Sequence, residues 1–88
     1  MANEDIETRI RDYITAEFGH RLNGLELQRD LNLLSEGVVD SMGVMQLVSF
    51  VEESFGCTVE DDDVTPGNFR SIVAIASLVE AKSSARNA

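Results

Sequence analysis

Three observations on the sequence predict an all-α fold, a bundle of three longer helices and one short helix. Apolar residues recur at helical spacing in three stretches of the chain. The run Thr65-Pro66-Gly67 has the pattern of a short helix start, with Thr as the cap and Pro at the first helical position. A chain of 88 residues has room for one modest core, so a single domain over 1–88 is expected.

The first helix is predicted over residues 4–18 and the second over residues 41–55, where apolar side chains repeat every three or four positions. Gly56 follows the second helix and suits a left-handed helix end. The predicted inward positions are Ile6, Ile10, Tyr13, Ile14 and Phe18 in the first helix, and Val44, Leu47, Val48, Val51 and Phe55 in the second.

The remaining elements are a short helix near 65–69 and a last helix over 72–82, which Ser71 caps. Residues 83–88 are expected to fray. The loop over 19–40 is long for a small domain, but it is rich in Leu and Val and is therefore expected to lie on the core. The inward positions of the last helix are Ile72, Ile75, Ala76 and Val79.

Charge limits the classes of partner. The net charge is −9, and the stretch from residue 30 to residue 69 holds nine acids and no Lys or Arg. Nucleic acid and anionic membranes are therefore poor partners, and basic protein surfaces are better ones. The alternative is a solvated acidic surface that keeps the protein soluble. The acidic run 60–63 lacks the ligand spacing and central Gly of a calcium loop, so no metal site is expected.

Other features point to a soluble cytoplasmic protein that is not an enzyme, and a monomer is expected. The single cysteine cannot form an internal disulfide, and the chain has neither a signal-like N-terminus nor a membrane-spanning apolar stretch. No pair of groups suits acid–base or nucleophilic catalysis. His20 is expected to be an ordinary exposed side chain, and Cys57 a small buried hydrophobic residue.

Ser41 is the candidate for chemistry, because it opens the strongest helix directly after Asp40. One hypothesis is that Ser41 or Asp40 merely caps the helix. The other is that the Ser41 hydroxyl carries a phosphate ester, since the amides and the positive dipole end of a helix start favour an anion. Such a site needs no basic side chain.

The run Asp40-Ser41-Met42 resembles the Asp-Ser-Leu/Met attachment motif of phosphopantetheine-dependent carrier proteins, and the similarity covers nearly all of residues 4–82. It implies a bundle like that of acyl carrier proteins, with a long first loop. The matching positions before the serine are Asp30, Leu31, Leu34 and Gly37, and those after it are Leu47, Val51, Glu52, Phe55, Gly56, Val59, Phe69 and Ile72.

The resemblance implies that Ser41 bears a 4'-phosphopantetheine arm, which makes the chain a phosphoprotein. A phosphopantetheinyl transferase would attach the arm from coenzyme A, and the divalent metal of that reaction belongs to the transferase. The arm would hold an acyl or aminoacyl group as a thioester. An activating ligase would load this group, and a downstream acyltransferase or synthase would receive it.

Partner recognition is expected on the second helix. Met42 and Met45 fall off its core stripe and could be adaptable apolar contacts, although they could also be core or chance surface residues. Asp40, Glu60 and Asp63 would steer the carrier toward basic patches.

Gly43 and Gln46 stand where fatty-acid-type carriers usually have acids. In this respect the chain is closer to stand-alone carriers of aminoacyl-activating or D-alanyl-transfer systems. The alternative from another class is an acidic helical adaptor that binds a basic protein without covalent modification. The two hypotheses differ in whether Ser41 is modified.

Overall fold

The computed structural model describes the backbone of residues 3–87 and the side chains of residues 5–83. The described backbone forms α-helices and two short 3-10 turns, without a β-strand, which confirms the all-α prediction. The helices are α1 (Asn3–Phe18), α2 (Ser41–Phe55), α3 (Pro66–Phe69) and α4 (Ile72–Asn87), and the turns are Gly19–Arg21 and Asp61–Asp63.

The predicted bounds of α1, α2 and α3 agree with the structure to within one residue. The prediction for α4 is wrong at its C-terminal end, because the helix continues to Asn87 instead of ending at residue 82. The chain has no Gly or Pro between 72 and 87, so nothing in the sequence interrupts propagation once the helix has formed. The last residue of the predicted frayed tail, Ala88, lies outside the described residues.

The residues predicted to cap the helices do so in the structure. The Thr65 hydroxyl accepts a hydrogen bond from the Asn68 amide at 3.2 Å. The Ser71 hydroxyl accepts one from the Ala74 amide at 3.1 Å, which confirms that Ser71 caps α4. Gly56 adopts the left-handed conformation with a φ of 63°, a backbone angle that favours glycine, and so ends α2 as predicted.

One core joins α1, α2, α4 and the long loop. The inward positions predicted for α1 and α4 are buried, apart from Tyr13, which is half-buried and stacks on Phe50 with ring centroids 4.2 Å apart. Val44 and Phe55 on α2 are also half-buried and pack against the core edge. Cys57 is buried, as predicted for a small hydrophobic residue. The fully buried positions include Ile10, Ile14, Leu33, Val38, Leu47, Val51, Phe69, Ile72, Ile75 and Ala76.

The loop between α1 and α2 lies on the core, as predicted. Its backbone is tied to the start of α4, since the Leu33 amide donates to the Arg70 carbonyl at 2.6 Å and the Val73 amide donates to the Arg29 carbonyl at 3.0 Å. Leu25 is an exception and remains 43% exposed. The buried side chains of the loop are Leu27, Leu33, Val38 and Val39. These contacts fix the path by which the chain reaches the start of α2.

Within the described residues, no helix combines the length and the apolar character needed to cross a bilayer.

Candidate modification site at the start of the second helix

Ser41 is the first residue of α2, and its side chain is exposed. Asp40 precedes it in an extended conformation, and its Oδ1 atom accepts a hydrogen bond from the Gly43 amide at 2.8 Å. Asp40, not Ser41, is therefore the side chain that caps the helix. The Ser41 hydroxyl is left at the positive end of the α2 dipole.

Gly43 determines how closely the start of α2 approaches the rest of the bundle. It is buried, and a Cβ atom there would lie 2.9 Å from Val39 Cγ1 and 3.1 Å from Phe18 Cε1. Both distances are shorter than normal carbon–carbon contacts. The absence of a side chain at Gly43 thus lets the first turn of α2 pack directly on the end of α1, which sets the position of Ser41.

Arg21 brings a positive charge to the site. It lies in the turn after α1, and its Nη1 atom is 3.2 Å from Asp40 Oδ2. The Gly43 amide and then the Arg21 guanidinium lower the pKa of Asp40 below its usual value. No local sequence pattern predicts this pair, because Arg21 and Asp40 are 19 positions apart and meet only through the packing of α1 on α2.

An open groove of about 590 Å³ adjoins Ser41. One wall comes from α2 and the loop before it, and the other from the segment that leads into α3. The lining is mostly apolar and consists of Leu34, Val39, Val44, Met45, Val64 and Pro66, with Asp40, Ser41 and Thr65 as its polar members. The proximity of residues 64–66 to Ser41 was not predicted, since no local pattern links segments so distant in the chain.

Met42 and Met45 are exposed by 79% and 56%, respectively. Their exposure excludes the alternative that they are core residues. Met45 lines the groove beside Ser41. The two thioether side chains therefore form an apolar surface on the first two turns of α2.

The acidic run is partly engaged within the protein. The Asp63 carboxylate accepts a hydrogen bond from the Glu60 amide at 2.9 Å and pairs with Lys82 of α4 at 2.5 Å. Lys82, and then the Glu60 amide, lower the pKa of Asp63. Glu60 is exposed and directly precedes the 3-10 turn that contains Asp63. Asp63 thus has partners inside the chain, while Glu60, Asp61 and Asp62 face solvent.

The structure brings Asp40, Ser41 and Met45 together at the groove and places the acidic run just before its far wall. His20 is exposed in the turn before Arg21. Among the side chains that the structure describes, no three His, Cys, Asp or Glu groups converge as metal ligands would. The chemistry open to this arrangement is therefore that of an exposed hydroxyl at a helix start beside an apolar groove.

Comparison with known proteins identifies the family. Residues 8–79 match the family described as a phosphopantetheine attachment site. Acyl carrier protein 2 of Pseudomonas aeruginosa is 33% identical over 60 residues, which cover 68% of this chain and 73% of that protein. An acyl carrier protein of Lactobacillus johnsonii is 32% identical over 63 residues, which cover 72% of this chain and 76% of that protein. The chain belongs to the phosphopantetheine carrier protein family, whose members bear covalently attached 4'-phosphopantetheine and act as carriers, not as catalysts.

Proposed function

We propose that Ser41 is the attachment residue and that the carried group is an acyl or aminoacyl thioester. The observation that carries the proposal is the exposed Ser41 hydroxyl at the start of α2, next to the apolar groove. When bound, the 4'-phosphopantetheine group supplies a terminal thiol on which cargo is held. The chain supplies position, reach and recognition.

The residues around Ser41 fit such an ester. Asp40 caps the helix, so the Ser41 side chain is not needed for that role and is available for modification. The α2 dipole favours the negative charge of a phosphodiester at this position. Gly43 keeps the start of α2 seated on Phe18, which presents the hydroxyl on a rigid element.

The groove fits the apolar part of an arm or its cargo. Its volume of about 590 Å³ lies within the usual range for small-molecule sites. Its lining comes mainly from Leu, Val, Met and Pro side chains. These side chains would shield apolar atoms from water and carry no nucleophile that could attack the thioester. The open side of the groove lets a partner enzyme reach the arm.

The partners we propose are a phosphopantetheinyl transferase, an activating ligase and a downstream acyltransferase or synthase. Met42 and Met45 give such enzymes an apolar surface beside the attachment residue. The names of the two bacterial relatives favour an acyl cargo, whereas the exposed, neutral Gln46 favours an aminoacyl cargo; Gly43 is buried and presents no surface to a partner. A cytoplasmic location and a monomeric state remain predictions.

The test is the intact mass of the chain after incubation with coenzyme A, Mg²⁺ and a broad-specificity phosphopantetheinyl transferase. The wild type is expected to gain one phosphopantetheinyl group, and Ser41→Ala none. Ser49→Ala is the matched control, because Ser49 is exposed on the same helix but lies two turns beyond the site. This variant should be loaded like the wild type.

Two outcomes would contradict the proposal. Loading of Ser41→Ala would mean that another residue carries the arm. No gain of mass in the wild type with several transferases would favour the acidic adaptor, which needs no modification.

Once loading has been observed, the cargo is identified by incubating the loaded chain with candidate ligases and measuring the second mass increase.

A further inference from the structure

The acids that the sequence placed around the site are not equally available to a partner. Asp40 is the acid closest in sequence to Ser41, yet its carboxylate already has two partners. Oδ1 accepts from the Gly43 amide at 2.8 Å, and Oδ2 faces the Arg21 guanidinium at 3.2 Å. The carboxylate therefore contacts a backbone amide on one side and an opposite charge on the other.

The turn after α1 brings Arg21 beside Asp40. The turn that carries it follows Phe18, which is buried against the start of α2 at Gly43. Through its pair with Asp40, the residue directly before Ser41, the Arg21 guanidinium lies on the α1 side of the attachment residue. The stretch from residue 30 to residue 69 contains no Lys or Arg, so this cation comes from outside the acidic part of the chain.

The second paired acid is Asp63, which Lys82 engages. Within the acidic run, the exposed acids are then Glu60, Asp61 and Asp62, at the turn that precedes the far wall of the groove. These three exposed carboxylates concentrate negative charge at this turn.

We propose that Arg21 is a specificity-determining residue of the carrier: it neutralises Asp40, so that partner enzymes meet a locally neutral, apolar surface at Ser41 and an acidic one at residues 60–62. The proposal rests on Ser41 being the attachment residue. A basic partner would gain less steering toward Ser41 than the net charge of −9 suggests. Compared with strongly basic partners, enzymes whose active-site entrance is apolar would bind the surface around Ser41 more readily.

A charge cycle tests this role. At the site, the pair is formally neutral in the wild type, Arg21→Gln leaves one negative charge, Asp40→Asn leaves one positive charge, and the double variant is neutral again. Asn retains the ability to cap a helix, so Asp40→Asn preserves the start of α2. The matched control is Arg70→Gln, which removes an exposed arginine from the junction of α3 and α4 and changes the net charge by the same amount.

The measurement is kcat/KM for loading by a phosphopantetheinyl transferase of basic isoelectric point, at about 10 mM and about 1 M salt, where the screening length falls from about 30 Å to about 3 Å. At low salt we expect Arg21→Gln to be loaded about threefold faster than the wild type, and Asp40→Asn about threefold slower. The kcat/KM values of the double variant and of Arg21→Lys should equal that of the wild type. Arg70→Gln should change kcat/KM less than Arg21→Gln does. At high salt, the differences in kcat/KM among all variants should vanish.

The proposal is overturned if Arg21→Gln slows loading, since the partner would then bind the Arg21 guanidinium directly. It is also overturned if Arg70→Gln changes kcat/KM as much as Arg21→Gln does, since only the net charge of the chain would then matter. NMR titration of Asp40 in the unmodified chain gives a readout that does not depend on loading. The pKa of Asp40 should rise in Arg21→Gln and stay unchanged in Arg70→Gln. An unloaded wild type would refute the proposed function, whereas normal loading with no difference between the variants would refute only the role of Arg21.

Discussion

Gly43→Ala tests whether close packing at the start of α2 holds the attachment residue in place. The added Cβ would lie 2.9 Å from Val39 Cγ1 and 3.1 Å from Phe18 Cε1, and both neighbours are buried side chains with little room to move. Overpacking of this kind costs about 1–3 kcal/mol. Replacing a helical Gly by Ala returns at most about 1 kcal/mol through backbone entropy. The expected net loss of stability is about 1–2 kcal/mol.

For a domain of this size, that loss lowers Tm by about 5–15 °C. Thermal unfolding followed by circular dichroism measures it. Gly67→Ala is the matched control, because Gly67 is also helical and the nearest atom to its added Cβ would be Thr65 Oγ1 at 3.9 Å. This control should melt at or slightly above the wild-type temperature. If Gly43→Ala melts as high as Gly67→Ala, the reasoning about the contact between α1 and α2 is wrong.

Three further predictions concern stability. Val51→Asp and Ile75→Asp should abolish cooperative unfolding, because each places an unpaired charge at a fully buried position. Met45→Asp, on the exposed side of α2, should retain the cooperative transition. Thermal unfolding followed by circular dichroism compares the three variants. Lys82→Gln should lower Tm at neutral pH, and since the pKa of Asp63 is lowered in the folded state, the difference from the wild type should disappear as the pH falls below that pKa. Added salt or a divalent cation should raise the wild-type Tm by screening repulsion among the acids; a Tm indifferent to both would contradict this.

Local patterns were sufficient to predict the helices and much of the core. Ile6, Ile10 and Ile14 recur at the period of a helix, and this period requires no knowledge of what they pack against. The N-cap and C-cap residues are equally local, since Thr65 and Ser71 bond to amides three positions ahead. The end of α4 was mispredicted because a polar, frayed-looking tail carries no residue that breaks a helix.

The sequence by itself determined the all-α class, the exposed serine at a helix start and the two methionines beside it, because each depends on residues within one or two turns of one another. The tertiary structure alone decided that Gly43 is a packing position, that Arg21 pairs with Asp40, and that residues 64–66 form the far wall of the groove. These contacts join segments that are remote in the chain. Their geometry follows from how α1, α2 and the acidic turn close on a shared core, and no local sequence period records it.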